Sequence, residues 1–544
     1  MKSDPLKNDE AVFFRKSSRN SLFEESAAEI FRSLSGLEAS DGVVILSRKK
    51  SAIFVDGRYA LAAKRCVNQK KFEILKLKNA EIIKWMEENL PQNHKISYDP
   101  AYCTLNESEL LSNRFSKHKF IETDLKKTLN IRTTKRDPDI YRIPGGRDAF
   151  SPFIRETIEQ NNLDAYLICD PCIVCRILHI RDLGQKYTPV LSCKMLITRN
   201  SEKILYADEK YNPHPLFKSE KELSQDLAKY SRIGTDKSRA ESRIKHRGLI
   251  DVNNLLALPC SVKNEAEIED MKTAAQKDSI ALINFLYDLH RNGAKITESE
   301  AAESLLRFRK RQDGFIGESF PAIAAADENS AIVHHVPDSE TTKTVEKILL
   351  IDSGGQYKNG TTDITRTVSV GEPTAEQKFF YTLVLKGHIA LADAKFPAGT
   401  GGNRLDSLAR QFLWRHSADY DHSTGHGIGY MLHVHEGPAA ISVGNGVPLQ
   451  PGMILSDEPG YYRENAFGIR LENMMLTKEA GDGSLCFETL SLVPFDAGFI
   501  DKNLLTEEEI RWLKKYNETI MSSLKLDDDV FDWLLNCCIK DFRP

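Results

Sequence analysis

Long hydrophobic runs are missing from this chain. Nowhere in its 544 residues do apolar residues approach the roughly 18–20 consecutive positions that a membrane-spanning helix requires. Met1 to Asn20 is polar and lacks the apolar core of a secretory signal. An excess of one charge is missing as well: 74 Lys plus Arg stand against 78 Asp plus Glu, a net of −4. Bulk charge therefore gives no reason to expect nucleic acid or an anionic membrane as partner. Ten cysteines show no framework of paired spacings, as expected where thiols stay reduced. A soluble, cytoplasmic protein is the expectation. Cys169, Cys172 and Cys175, each three apart, could be a zinc or iron–sulfur motif, or simply a buried strand and turn. No second ligand pair follows at zinc spacing and His179 is isolated, which favours packing. Cys537 and Cys538 are read as packing residues too.

What is present is a chain too long for one core, with room for roughly two to four domains. The first 130 or so residues read as a small α/β unit. It has a helix near Ser21 to Leu34, a hairpin of Gly42 to Ser47 with Ser51 to Val55, a turn at Asp56-Gly57-Arg58-Tyr59, a strand at Phe72 to Leu75 and a helix at Ala80 to Asn89. No clear opening strand precedes them, so the unit reads as shortened. Arg132 to Asp139 is charged and reads as a linker. A second α/β unit follows, with a helix at Phe153 to Gln160 and strands at Asp164 to Cys169, Pro189 to Thr198 and Lys203 to Tyr206.

From Lys263 the texture changes. Apolar residues recur at helical spacing through about Arg291, and Thr297 to Gln312 reads as a second helix, acidic at its start and basic at its end. Strands are expected at Ala322 to Ala325, Ala331 to His334, Lys347 to Asp352, Thr367 to Ser369 and Glu488 to Val493. Helices are expected at Thr374 to Ala394, at Arg404 to His416 and from Thr506. Strands alternating with long helices indicate α/β and α+β architecture.

Five residues in this last part stand out: Asp352, Asp363, His426, Glu458 and Glu472. Asp352 ends the apolar run Ile348-Leu349-Leu350-Ile351, and a carboxylate ending a buried strand must be paired or metal-bound to stay charged. Asn359-Gly360 is a turn signal that could fold Asp363 back beside Asp352. Each residue has an ordinary alternative. Glu472 could pair with Arg470 on the same strand face, Glu458 could lie in a solvated turn, and His426 could be a satisfied core histidine. Four oxygen donors and one imidazole together, with His334, His335 and His435 near in sequence, suit a two-metal hydrolytic site, in which ions sit about 3.5–4 Å apart.

The segments Ile351-Asp352-Ser353-Gly354, Thr361-Thr362-Asp363-Ile364-Thr365-Arg366, Gly425-His426-Gly427-Ile428-Gly429, Val434-His435-Glu436-Gly437-Pro438, Asp457-Glu458-Pro459-Gly460-Tyr461-Tyr462 and Gly468-Ile469-Arg470-Leu471-Glu472-Asn473 resemble, in order, the pita-bread metallopeptidases and more narrowly the Xaa-Pro aminopeptidases. The resemblance is strongest over Lys263 to Asn517. Phe487 to Pro494, Leu505 to Tyr516 and Asp56-Gly57-Arg58-Tyr59 resemble the long, three-domain form.

The resemblance implies two creatinase-like N-terminal α/β domains, at 1–134 and 135–261, followed by a pita-bread catalytic domain with a C-terminal extension at 262–544. It implies that Asp352 binds one metal, that His426 and Glu458 bind the other, and that Asp363 and Glu472 bridge both. A water or hydroxide between the ions would be the nucleophile, with Glu458 relaying a proton. His334 and His435 would contact the substrate around the scissile carbonyl, His422 and Arg470 would line the proline side, and Arg58 would reach the peptide from the first domain. The ligand set favours Mn²⁺, with Zn²⁺ or Co²⁺ possible. Peptides beginning Xaa-Pro are the implied substrates and a homodimer the implied assembly. Ser423 stands where a glycine is common, and Cys172 to Asp182 matches only loosely. Prolidase, a creatinase-like enzyme and a metal-free binding module remain as alternatives.

Overall fold

The computed structural model describes all residues except 1–5, 18–23, 133–136, 146–149, 208–210, 212–216, 253–254, 293–294, 339–341, 540–541 and 543–544. Residues 133–136 of the expected charged linker thus lie outside the described residues. The chain divides into two compact units, one of residues 1–185 and 190–259, the other of 186–189 and 260–544. Among the described residues no helix is long and apolar enough to cross a membrane.

The first unit contains two six-stranded sheets. In the first sheet the expected hairpin forms, with Val43 opposite Phe54 and Ile45 opposite Ala52. The opening strand that the sequence did not disclose is there: Glu10–Lys16. It lies inside the sheet, antiparallel to Gly42–Ser47 and parallel to Lys95–Tyr98. Phe14 enters the core on one face, and Ala11 and Phe13 enter the core on the other. A strand buried on both faces loses the polar alternation that would have announced it. Asp56 caps a short 3₁₀ turn, Gly57–Tyr59, by accepting from the Arg58 backbone N–H, and the helix Ala60–Cys66 follows.

The second sheet runs Phe217–Ser219, Lys203–Ala207, Cys193–Thr198, Ala165–Ile168, Ile233–Thr235, Leu249–Asp251. The strand Ala165–Ile168 stops one residue before Cys169, and Cys172 and Cys175 occupy a helix, Pro171–Leu178, rather than a turn. Asp170 accepts from the Cys172 and Ile173 backbone N–H groups, and Pro171 opens the helix where a missing N–H costs nothing. The side chains of Cys537 and Cys538 fall outside the described set.

In the second unit, helices begin on capping boxes: Asn264 with Glu267, Thr297 with Glu300, Thr374 with Gln377, Thr506 with Glu509. The unit also holds a three-stranded sheet, Ile323–Ala326, Ile348–Ser353 and Ile364–Ser369. A six-stranded sheet runs Lys395–Pro397, Ser484–Thr489, Asn473–Glu479, Ile454–Asp457, Gly425–Gly427, Glu436–Ile441. The expected strand at Ala331 to His334 does not form. A 3₁₀ turn, Asp327–Ala331, stands there instead, followed by loop. Asp327 has φ 49°, and its carboxylate accepts from the backbone N–H groups of Glu346, Lys347 and Ile348 at 2.9–3.1 Å. That clamp holds the segment turned. The closing strand lies at Ser484–Thr489, earlier than the expected Glu488 to Val493.

Candidate metal centre

The strand Ile348–Ser353 runs antiparallel to Ile364–Ser369, with Asp352 opposite Thr365 and Ser353 opposite Ile364. Between them the chain makes a smaller hairpin, Gly355–Tyr357 with Gly360–Thr361, turning at Lys358-Asn359, one residue before the expected turn. The backbones close tightly at its base: a Cβ on Gly354 would sit 1.9 Å from the Thr362 carbonyl oxygen. This register returns Asp363 to the end of the strand that carries Asp352.

His426 lies in the strand Gly425–Gly427, pressed so close to Ile454–Asp457 that a Cβ on Gly425 would meet the Ser456 carbonyl oxygen at 1.9 Å. Its Nδ1 is 3.0 Å from the Gly427 carbonyl oxygen. A carbonyl only accepts, so Nδ1 carries the proton and Nε2 keeps its lone pair. That Nε2 lies 3.4 Å from Asp363 Oδ2 and 3.6 Å from Glu458 Oε1. Glu458 follows the strand Ile454–Asp457, and its backbone N–H donates to Thr424 at 2.7 Å. Glu472 sits between the strands Phe467–Arg470 and Asn473–Glu479 and accepts from the Thr365 hydroxyl at 2.7 Å.

Ligand atoms of Asp363, His426 and Glu472 all lie within 4.8 Å of one another. Burial pushes the Asp363 carboxyl well above the ordinary range, and the charges of Asp352 and Glu458 push it further. Glu472 is raised likewise, first by burial and then by Asp363, Glu458 and Asp352. Among the described residues Asp352 Oδ1 is buried without a hydrogen-bond partner, while Oδ2 accepts from Arg470 Nη2 at 2.7 Å. Arg470's single positive charge falls short of four carboxylates. Crowded acids, an unmet carboxylate oxygen and an imidazole lone pair aimed among them fit divalent ions, since close carboxylates without cations repel.

Arg470 does not pair with Glu472. Its Nε donates to the Thr365 hydroxyl at 3.2 Å, and Thr365 in turn donates to Glu472. The pairing expected from strand alternation is interrupted because the strand ends at Arg470 and a new one begins at Asn473. Arg470 Nη1 donates to the Tyr462 oxygen at 2.7 Å, and His422 Nε2 is 2.9 Å from the same oxygen. The structure thus links His422, Tyr462, Arg470 and Asp352 in one chain of contacts. Burial pushes the Tyr462 hydroxyl up to about 12. Tyr462 was not among the expected site residues, although it lies within the quoted Asp457 to Tyr462 segment.

His435 is exposed, its ring centroid 4.2 Å from that of His426, edge to face. His334 lies in the loop after Asp327–Ala331, and the neighbouring Val333 carbonyl accepts from Arg470 Nη2 at 3.2 Å. His335 instead faces Glu298 at 3.2 Å. Arg58 belongs to the first unit, where its guanidinium pairs with Asp56 at 2.7 Å and Asp41 at 3.7 Å.

The profile of metallopeptidase family M24 matches residues 269–479, that of the C-terminal region of this peptidase family residues 483–540, and that of the creatinase/prolidase N-terminal domain residues 29–128. A protein of Sordaria macrospora described as a probable Xaa-Pro aminopeptidase P is 32% identical over 92% of each chain. The crystal structure of X-prolyl aminopeptidase from Caenorhabditis elegans, described as a cytosolic enzyme with a di-nuclear active site, matches with a TM-score of 0.90 at 27% identity. It covers 98% of this chain and 96% of that one. The prolidase from Pyrococcus horikoshii matches with a TM-score of 0.53 at 25% identity, covering 63% of this chain and 97% of its own. The mixed architecture is therefore a creatinase-type N-terminal part followed by a pita-bread metallopeptidase fold.

Proposed function

The chain belongs to metallopeptidase family M24, within the group of Xaa-Pro aminopeptidase P, and from that premise we propose that it releases the N-terminal residue from peptides with proline second. The observation that carries this reading is the buried acid cluster with the His426 lone pair inside it, in a chain whose likeness to the nematode aminopeptidase runs over nearly its whole length. The prolidase match stops at 63% of the chain, which favours the aminopeptidase over a dipeptidase.

Asp352, Asp363, His426, Glu458 and Glu472 would hold two divalent ions, Mn²⁺ by preference, which supply Lewis acidity and a water deprotonated near neutral pH. The chain's own groups do the rest. Asp363 and Glu472 would be ligands to both ions, and Thr365 holds the Glu472 oxygen in place. Glu458, half-buried, relays the proton towards the leaving amine. His334 and His435 flank the scissile carbonyl and stabilise charge developing on its oxygen. His422 and Arg470, joined through Tyr462, line the proline side, and Arg58 contacts the peptide from the N-terminal part. The same proposal takes three domains at 1–134, 135–261 and 262–544, a homodimer, and a cytosolic setting like that of the nematode enzyme.

Purified protein with added Mn²⁺ should cleave Arg-Pro-Pro and leave Arg-Ala-Ala intact, and a chelator should abolish the activity. Cleavage confined to Xaa-Pro dipeptides would move the assignment to prolidase. Absence of bound metal, together with an unaffected Asp363→Asn variant, would end the enzyme reading.

A further inference from the structure

Behind the acid cluster lies a group that the reaction as described does not use. His388 sits in the helix Ala375–Ala392 and is fully buried. It faces the seam between two antiparallel strands, Ile454–Asp457 and Asn473–Glu479, in which Asp457 is directly opposite Asn473. Side chains alternate along a strand and opposite residues share a face. Asp457 and Asn473 therefore share one face, while Glu458 and Glu472, just beyond the strand ends, meet His426 and Thr365 in the acid cluster.

The hydrogen-bond directions around His388 can be fixed without seeing a proton. Arg366 Nη2 donates to Asn473 Oδ1 at 2.8 Å, and a guanidinium only donates. The Asn473 amide is thereby oriented, with its Nδ2 3.1 Å from His388 Nε2. Because Nδ2 only donates, Nε2 must accept, and the imidazole proton belongs on Nδ1. Nδ1 lies 3.1 Å from Asp457 Oδ2, and the backbone carbonyls of Asp457 and Leu471 lie beside the ring as well. Asp457 is fully buried, and among the described residues neither its carboxyl oxygens nor His388 Nδ1 makes a hydrogen bond, so the 3.1 Å approach is a close polar contact. Arg366, also buried, donates from Nη1 to the carbonyls of Thr365 and Glu472 at 2.8 and 2.7 Å.

We propose that His388 is a positioning residue for the metal centre: from the rear of the sheet it accepts a hydrogen bond from Asn473 and sets its Nδ1 against Asp457, and so fixes the directions of Glu458 and Glu472 together. One helical side chain touches both residues that immediately flank the two glutamates, on strands paired through their backbone ladder. The inference rests on the metal-centre reading given above, and it deepens that reading by naming what aims two of its ligands.

The test is Mn²⁺ titration of the metal-free protein, read alongside thermal stability and the kinetics of Arg-Pro-Pro cleavage. His388→Phe keeps the volume and removes both contacts. It should weaken Mn²⁺ binding roughly ten- to a hundredfold, the usual effect of losing a group that holds a ligand in place, and should lower kcat while KM stays near its wild-type value. His388→Asn, whose amide nitrogen can occupy the place of Nδ1–H, should recover more of the Mn²⁺ affinity than His388→Gln, which can reach Asn473 but not Asp457. Wild-type Mn²⁺ affinity in both His388→Asn and His388→Gln would overturn the proposal even if His388→Phe failed to fold. A wild-type protein that binds no Mn²⁺ would remove the metal-centre reading and this role with it. A wild type that binds Mn²⁺ beside His388 variants that bind it equally well would remove this role alone.

Discussion

Two clusters of buried charge differ in how they are neutralised. In the second sheet of the first unit, Lys194 is buried and lies 2.6 Å from Glu220 and 3.2 Å from Glu241, while Arg243 also pairs with both glutamates. Burial alone would lower the Lys194 pKa, but the two glutamates outweigh it and hold the ammonium charged. In the second unit, Asp352, Asp363, Glu458 and Glu472 converge with only part of their charge met by Arg470, and Asp363 and Glu472 are driven well above the carboxylate range. Acids and cations balanced within the protein make a structural network. Acids left in excess make a place for cations from outside. The contrast is between closed and open electrostatics.

Asp363→Asn should have the largest effect and would test the open cluster most directly. The amide keeps the shape and removes one of the mutually repelling charges. Arg-Pro-Pro cleavage should fall by on the order of a thousandfold or more, as when a group acting on the transition state is lost. The metal-free variant should be at least as stable as metal-free wild type, because a buried like charge has gone. A metal-free variant that melts well below wild type would show Asp363 to be a structural acid like those around Lys194.

Lys194→Met probes the closed cluster. It leaves Glu241 buried beside Glu220 with one cation fewer, and breaking a buried pair costs about 3–5 kcal/mol. Denaturant unfolding should show that loss while Mn²⁺ affinity stays as in wild type. Lost metal binding with unchanged stability would invert the contrast.

Much of the open cluster was legible in the chain because each acid lies at or next to a strand end, and apolar residues announce two of those strands: Ile348 to Ile351 ahead of Asp352, and Phe467 to Leu471 ahead of Glu472. Local turns and caps were legible for the same reason, as at Thr297 and Thr506. Less visible was whatever depends on distant partners. Glu10–Lys16 becomes a strand by pairing with residues 42–47 and 95–98. Ala331 to His334 has strand-like residues, but the Asp327 carboxylate, clamped on 346–348, turns the chain first. Arg470 selects Asp352, 118 residues away, over Glu472 two residues on. His388 meets Asn473 across 85 residues, and no spacing rule in a sequence spans that gap.

Acidity separates the open cluster from another paired acid of the first unit, Asp226, by sign. Burial pushes the Asp226 carboxyl up, but hydrogen bonds from Lys218, Lys229 and Tyr206 outweigh it and bring it down to about 2. A carboxyl whose folded pKa is depressed stabilises the fold fully above its unfolded value of about 4 and loses that contribution as pH falls through about 2. The loss is at most about 2–3 kcal/mol, reduced by screening because Lys229 is 62% exposed. In the metal-free protein Asp363 and Glu472 act oppositely. Raised carboxyls hold protons in the native state that the unfolded chain releases, so stability falls as pH rises above about 4. Asp226→Asn should remove part of the acid-side loss and leave the fall with rising pH in place. Mn²⁺ should remove that fall and leave the acid-side loss.

The smallest effect comes from a pair that belongs to neither cluster. Lys395 lies 2.6 Å from Asp482, as close as Lys194 to Glu220, but both side chains are more than half exposed. Hydrogen bonds from Lys395 and Ser484 hold the Asp482 carboxyl below its ordinary range, so by distance and pKa direction alone this pair looks stronger than either buried set. Water and salt screen it nonetheless, and ordering two long side chains costs entropy. Lys395→Ala should leave the melting temperature unchanged within error in both low and high salt. A clear loss at low salt, restored to wild-type behaviour by high salt, would mean that proximity rather than burial decides which charges matter in this protein. The line between closed and open clusters would then have to be redrawn by distance.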